Sequence, residues 1–481
     1  MLRMLVVAVC VAALTACGWG KGPKQRGRRD VRPFDQPGAL RLLPGQVPEG
    51  SPKLPAELVD KPVRADLPDD QPGLVVLVVM DTVRADHTSL CAYHRPTTPT
   101  LEAMAVQPHT AHTCAAYAPA TWTLPTHASL FTGQAPEDHG LLGRGIALPD
   151  EATTLAERFA ERGYQTALVS ANPILKAPTG LHQGFHHTEV APGMISALRG
   201  PRGFAGALRG VLARLDATRP LFLVVNLYDA HDPYPPIPRD LGWVHPQPSM
   251  SFREQVKVPD PTYLAFRSGE LAGEPRARWL RRLTDGYDHG ILLADQGLTR
   301  VVKLLLKQGW SKHGVRMVVT SDHGENLGEH DRLRHDGPPF ETVARVPVLV
   351  YDDTRPALQL PEPLSLVDLH DVVLDGRLPE VPGAVRSSSV DYGPGADAWF
   401  EDSVALWPAT DRKWMSRPEA RVQVDLAEDP GELQPAAAPP EAVDALTAAE
   451  TRLQEAKVKA AAEARQSAEV GALLEELGYA E

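Results

Sequence analysis

The chain has 481 residues, 43% hydrophobic but only 6% aromatic, and a formal net charge of -12. That length accommodates one large α/β domain and a smaller companion, with an aliphatic core large enough to need no disulfide support. The acidic balance, with no basic stripe beyond the N-terminal segment, excludes a nucleic-acid partner.

At the N-terminus, Arg3 precedes an apolar stretch from Met4 to Leu14, and Leu14-Thr15-Ala16-Cys17 matches a bacterial lipoprotein cleavage and lipidation site. The run is too short to span a bilayer, so residues 1–17 read as a signal peptide ending at a lipidated cysteine. Diacylated Cys17 would hold the protein to a membrane of the bacterial cell envelope, facing the periplasm or the exterior. Residues 18–71 are rich in proline, glycine and charge, including the basic run from Lys21 to Arg29, and read as a flexible tether. Removal of Cys10 and modification of Cys17 leave Cys91 and Cys114, whose pairing two cysteines alone do not decide.

Three apolar runs of strand character follow, each ending in groups that bind metal or carry protons. Leu74–Met80 ends in Asp81; Leu221–Leu227 ends in Tyr228-Asp229-Ala230-His231-Asp232-Pro233; Val315–Thr320 ends in Ser321-Asp322-His323-Gly324-Glu325. Continuous β-branched runs without alternation are strands buried on both faces, and in open α/β sheets chemistry gathers at their carboxyl ends. These termini therefore predict a metal site at one rim. Between the first two runs, Trp122 to Gly133 has proline where a helix begins and glycine where it ends, placing Thr123 just before a helix N-terminus suited to an anion. After a further strand at Arg345–Tyr351, short strands and turns continue to Pro430. Residues 441–478 carry Val443, Leu446, Leu453, Val458, Val470, Leu473, Leu474 and Leu477 at helical spacing. No solenoid-type repeat is present.

These motifs, together with Asp81-Thr82-Val83-Arg84-Ala85-Asp86-His87, Thr98-Pro99-Thr100-Leu101, Gly163-Tyr164-Gln165-Thr166, Thr179-Gly180-Leu181, Gln183-Gly184-Phe185, His231-Asp232-Pro233-Tyr234, Arg345-Val346-Pro347 and Asp425 to Pro430, occur in an order that resembles the sulfatase family of the alkaline phosphatase superfamily, from about Val75 to about Asp429. The resemblance implies an α/β fold: an alkaline-phosphatase-like large, mostly parallel sheet between helices, with a smaller C-terminal α+β subdomain. It divides the chain into a catalytic domain at 72–355, a C-terminal subdomain at 356–440 and a terminal helix at 441–481.

Departures from the family pattern define the chemistry the resemblance implies. Formylglycine sulfatases need cysteine or serine where this chain has Thr123, arginine where it has His127, and a lysine and histidine where Val169-Ser170-Ala171-Asn172-Pro173 stands. Threonine is instead the nucleophile of related phosphotransferases such as lipoteichoic acid synthases and lipid phosphoethanolamine transferases. A threonine hydroxyl is a poor nucleophile unless a cation or base activates it. The resemblance assigns the cation to Asp81, Thr123, Asp322 and His323. The family's second aspartate is Thr82 here and its asparagine is His323, and gaining a nitrogen donor favours one divalent zinc or manganese ion over calcium or magnesium. Asp229, His231 and His335 leave a second metal open. His231 and His335 are the expected proton shuttles, His127 lies beside the nucleophile, and Asn172 and Asp229 are expected on the substrate.

Other residues have plainer readings. His87, His94, His109, His112, His182, His186 and His187 are expected to be surface or satisfied histidines, and Trp122 a packing residue. Lys413 with Trp414 resembles the family's strand near the substrate, with an exposed strand pair as the alternative. The function expected is that of a metal-dependent hydrolase or transferase acting on a sulfate, phosphate or phosphonate ester of a small molecule, lipid or glycan. A catalytically silent, lipid-tethered binding module is the alternative. The sequence leaves the oligomeric state open.

Overall fold

The apolar run Leu74–Met80 forms strand β1, buried along its whole length at the centre of an eight-stranded sheet. The computed structural model describes residues 71–463 apart from 144–145, 194–195, 197, 239–240, 244–260, 336, 390–401 and 418–419. The Cys17 site, the tether to residue 70 and the helical pattern beyond residue 463 lie outside the described residues. With β2 at Thr110–Tyr117, β3 at Gln165–Ser170, β4 at His187–Val190, β5 at Leu221–Leu227, β6 at Val315–Thr320, β7 at Asn326–Leu327, β8 at Leu333–Arg334, β9 at Arg345–Asp352 and β10 at Leu364–Ser365, the sheet order is β10-β2-β9-β6-β1-β5-β3-β4. β9 runs antiparallel to β2 and β6, and the other pairings in this sheet are parallel. β7 and β8 form a small separate hairpin.

Both faces of the sheet are covered, which explains why its strands are apolar without alternation. Leu74, Val76, Val78 and Met80 pack on one face with residues of the Pro201–Leu212 and Gly273–Lys307 helices. Val75, Leu77 and Val79 pack on the other with the Thr123–Thr132, Leu155–Glu161 and Leu369–Asp375 helices. This layer continues past residue 355, because β10 still pairs with β2 and the Leu369–Asp375 helix covers the sheet.

The C-terminal part is a five-stranded antiparallel sheet of β11 at Arg386–Ser389, β12 at Ser403–Ala409, β13 at Arg412–Arg417, β14 at Ala420–Asp425 and β15 at Ala436–Ala437. Trp407 of β12 packs at a tilt on Tyr117 of β2 with ring centroids 4.2 Å apart, joining the two sheets. Lys413 is wholly buried and ion-paired with Glu432 at 2.7 Å, so it does not lie on an exposed strand pair. A burial-satisfying partner supplied from 19 positions away gave no local signal. The terminal helix, Pro440–Glu463, packs Leu453 and Ala456 against Val404. Cys91 and Cys114 form a disulfide, closing the open question of their pairing.

Candidate functional site

β6, β1 and β5 are parallel neighbours in register, with Leu74 level with both Val315 and Leu221. Residues just past their carboxyl ends therefore fall side by side, and this brings Asp81, Asp322 and His323 together. One donor atom from each lies within 4.8 Å of the others, and all three residues are buried. Two glycines permit the packing. A Cβ on Gly324 would sit 2.2 Å from the Thr342 carbonyl, and one on Gly290 would sit 2.4 Å from the Asp229 carbonyl. Side chains at either place would push the site loops away from their supports.

Each donor is held by its own partners. Asp81 Oδ2 accepts from Asn172 Nδ2 at 2.8 Å and from Asn226 Nδ2 at 3.0 Å. Asp322 Oδ1 accepts from the backbone N–H groups of Thr82 at 3.1 Å and His323 at 3.0 Å. His323 Nδ1 donates to the Gly324 carbonyl at 2.9 Å, which leaves Nε2 as a lone-pair atom facing Asp322 Oδ2 at 3.5 Å. Asp81 Oδ1 and Asp322 Oδ2 have no hydrogen-bond partner although both are buried. Unsatisfied carboxylate oxygens beside an imidazole lone pair are costly without a cation and fit a divalent one.

The electrostatics agree. Burial, reinforced by Asp322, pushes Asp81 up to about 8, and burial pushes Asp322 up to about 7. Burial lowers His323 to about 4, with His335 adding to the effect, so its ring is neutral at pH 7. The neutral imidazole already has the form that ligates a metal, and a bound cation would ionise the two carboxyl groups that burial keeps from ionising alone.

Thr82 occupies the place of a second aspartate but turns its hydroxyl away, donating to the Asp81 carbonyl at 2.7 Å. Its φ of 61° is unusual for a β-branched residue, and Tyr287 Oη fixes it by donating to the Thr82 carbonyl at 2.6 Å.

Thr123 is the first residue of its helix, with extended Trp122 as the cap, one position later in the helix than the sequence pattern placed it. Its Oγ1 is 3.4 Å from His323 Nε2, at the edge of the Asp81, Asp322 and His323 cluster. His127, one turn on, donates from Nδ1 to the Thr123 carbonyl at 3.0 Å, and its Nε2 accepts from Asn226 Nδ2 at 3.4 Å. Burial lowers it to about 4. His127 thus braces Thr123 and the Asp81 support from behind. Trp122 is buried in the core beneath this turn.

The remaining expected residues divide. His335 lies with its ring centroid 4.7 Å from that of His323 and 5.7 Å from that of His231, so its ring neighbours both imidazoles. His231 Nδ1 donates to the Asp232 carbonyl, leaving Nε2 as a proton acceptor. Asn172 holds Asp81 and accepts from Ile174 N at 3.0 Å, so both ends of its amide are engaged within the protein. Asp229, pushed up to about 6 by burial, accepts from Gly200 N at 2.8 Å. Among the described residues, Asp229, His231 and His335 are not gathered as a three-donor metal group; Asp81, Asp322 and His323 are. His87 is tied to Asp288 at 2.6 Å, and His186 to Thr166 Oγ1 at 2.7 Å.

Asn226 escaped the sequence reading, and Glu325, named within its strand-end motif, received no role of its own. Asn226 is the single polar residue within the apolar β5 run, and its burial demands partners, which was the available signal. Glu325 is fully buried, accepts from Tyr234 Oη at 2.8 Å and lies 3.8 Å from His335 Nδ1. Burial pushes it up to about 8, with Asp232 adding to the effect.

A family model described as Sulfatase matches residues 74–375. No curated protein sequence matches the chain. Among solved structures, the chain is similar to a protein captured with its substrate D-glucosamine-2-N,6-O-disulfate, at 16% identity and a TM-score of 0.61, covering 81% of this chain and 99% of that one. It is similar to the phosphonate monoester hydrolase of Agrobacterium radiobacter, at 18% identity and a TM-score of 0.56, covering 81% and 96%. A 2-O GAG sulfatase aligns at 16% identity and a TM-score of 0.54, covering 81% and 93%. At such identities the likeness is one of fold.

Proposed function

We propose, from the premise that the chain belongs to the sulfatase family, that it is a metal-dependent hydrolase or transferase of phosphate- or phosphonate-type esters with Thr123 as nucleophile. The observation that carries this is Thr123 Oγ1 at 3.4 Å from the lone-pair nitrogen of His323, beside two carboxylate oxygens without partners. The same kept metal-binding geometry speaks against a silent binding module. A divalent cation held by Asp81, Asp322 and His323, zinc or manganese before calcium or magnesium, supplies activation of the hydroxyl and neutralisation of charge on the ester oxygens.

The chain's own groups account for the rest. Thr123 Oγ1 forms a bond to phosphorus as the bond to the leaving oxygen breaks, and the helix N-terminus beneath it favours the anion. In this reading His335 and His231, whose rings are 5.7 Å apart, deliver a proton to the leaving oxygen and then take one from the water or alcohol that releases the phosphothreonine. The Asp232 carbonyl orients the His231 ring, and Glu325 lies 3.8 Å from the His335 ring. Asn172 and Asn226 keep Asp81 aimed, and His127 keeps Thr123 in place. Threonine cannot be oxidised to formylglycine, so sulfate esters lack the aldehyde hydrate that expels sulfate. Purified protein supplied with zinc or manganese should therefore hydrolyse aryl phosphate, diester or phosphonate faster than the matching aryl sulfate. A sulfate rate above all the phosphoryl rates would overturn the proposal.

The Leu14 to Cys17 motif supports a lipid-anchored protein of the bacterial envelope. Expressed from its own leader, the protein should sediment with membranes, and Cys17→Ala should release it. An unmodified Cys17 by mass spectrometry would refute the anchor.

A further inference from the structure

The face of the C-terminal sheet that packs on the main sheet carries a row of donors without acceptors. Ala405, Trp407 and Met415 lie in the core shared with Tyr117 and Phe340, so alternation puts Ser403 and Arg417 on that same face. Ala405 pairs with Met415, and Val404 N donates to Ser416 Oγ at 2.9 Å, which brings Ser403 level with Arg417. On its other side Ser403 pairs directly with Ser389 of β11. β11 in turn runs parallel to the turn before Thr123. Ser388 N donates to the Pro119 carbonyl at 3.0 Å and Thr121 N to the Ser388 carbonyl at 3.2 Å, so Thr121 is level with Ser389. Trp122 is extended and turned into the core, so Thr121 and Thr123 leave the chain together on its other side.

Thr121, Ser389, Ser403 and Arg417 thus form one row, its members about 4.8 Å apart where they sit on neighbouring strands. The hydroxyls of Thr121, Ser389 and Ser403 are buried and have no hydrogen-bond partner, and neither have Nε and Nη2 of Arg417. Ser387, on the same face as Ser389, adds a further orphan hydroxyl, whereas that of Ser388 faces the opposite way beside Val404. Nε and Nη2 are the guanidinium edge whose two N–H bonds run parallel, the fork that grips an oxyanion through two oxygens. No carboxylate answers it from the cross-strand positions, which are Ser403 and Ala420. Arg417 Cζ lies 5.3 Å from the centroid of the Phe340 ring. His330, stacked on the same ring at 3.8 Å, is lowered to about 4 by burial and then by Arg417.

Buried donors that meet no acceptor are costly, and every group in this row can donate while the guanidinium cannot accept. We propose that the row is an oxyanion-binding site that takes a carboxylate, phosphate or sulfate on the Arg417 fork, with the hydroxyls of Ser403 and Ser389 completing its hydrogen bonds. It shares no residue with the metal cluster and does not depend on the reading of Thr123 as nucleophile. Arg417 is only part-buried and forms the open end of the row, while Thr121 ties the inner end to the turn that carries Thr123.

The probe is inorganic sulfate, titrated by calorimetry into the full protein stripped of divalent metal. Wild type should bind it, and Arg417→Gln should weaken it by about tenfold or more. Arg417→Lys, which keeps the charge but loses the fork, should recover only part of the affinity. Ser403→Ala should also bind sulfate less tightly, yet in anion-free buffer it should melt no lower than wild type, because it removes an unmet hydroxyl; a hydroxyl serving structure alone would lower the melting temperature when deleted. Asp322→Asn, in the metal cluster, should bind sulfate as wild type does. No binding by wild type at millimolar sulfate, or equal binding by wild type and Arg417→Gln, overturns the proposal. Loss of sulfate in Asp322→Asn places the anion at the metal cluster and overturns it too. With the preferred phosphoryl substrate, a higher KM at unchanged kcat in Arg417→Gln identifies the bound anion as an acidic group of the substrate, and an unchanged KM identifies it as a free anion.

Discussion

Thr123→Ala is expected to lower kcat on the best phosphoryl substrate by about three orders of magnitude or more, while the protein keeps its fold and its metal. The size follows from losing the atom that forms the new bond, because the remaining groups can then assist only direct attack by water. The fold should survive because the first turn of this helix is pinned from elsewhere: Thr126 Oγ1 donates to the Ala120 carbonyl at 3.2 Å, and Leu124 and Ala128 are core residues. Thr123→Ser keeps the oxygen and should retain part of the rate, the loss reflecting the freer rotation of an unbranched side chain. Trapping a phosphorylated peptide that contains residue 123 by rapid acid quench would identify the bond directly. Turnover by Thr123→Ala at the wild-type rate would place the nucleophile elsewhere.

Asp322→Asn should remove the divalent ion and lower activity by at least about two orders of magnitude, since it deletes charge at the donor shared by the Thr82 and His323 backbone. Elemental analysis checks the first part, and stoichiometric metal in the variant would defeat the assignment. Metal-free protein offers a second readout. Burial holds Asp81 at about 8 and Asp322 at about 7 in the folded state, against the ordinary value of 3.8. A folded value above the unfolded one means that stability present at low pH is lost as pH rises towards the folded value. His323 and His127, lowered to about 4, act oppositely, but their contribution is complete by their ordinary 6.5. The melting temperature of the metal-free wild type should therefore fall between about pH 6.5 and pH 8. It should fall less in Asp322→Asn, and added zinc should raise it more at pH 8 than at pH 6.5.

Much of the scaffold was readable because burial on both faces writes itself as uninterrupted Val and Leu. β1, β5 and β6 needed no further clue, and the convention that chemistry gathers beyond such strands picked out Asp81, Asp322 and His323. The Pro125 and Gly133 punctuation put Thr123 at a helix start, and its role as nucleophile came from resemblance. What stayed hidden depends on where side chains turn. Nothing local says that Asn172 faces Asp81, that Thr82 takes a positive φ and turns its hydroxyl to the backbone, or that Lys413 is sealed in beside Glu432.

The hydrogen bond from Thr82 N to Asp322 joins positions 240 apart in the chain, across strands that touch only when β6 has docked beside β1. A nascent or clipped chain lacking β6 therefore has one carboxylate and no imidazole of the donor set, and its grip on a cation is weak. Because the donors exist together only in the finished sheet, the free energy of metal binding is added to that state alone and withheld from every partly assembled one. Closing so distant a contact is slow by comparison with local helix formation, so an ion held by the proposed site would be taken up only once the sheet is complete.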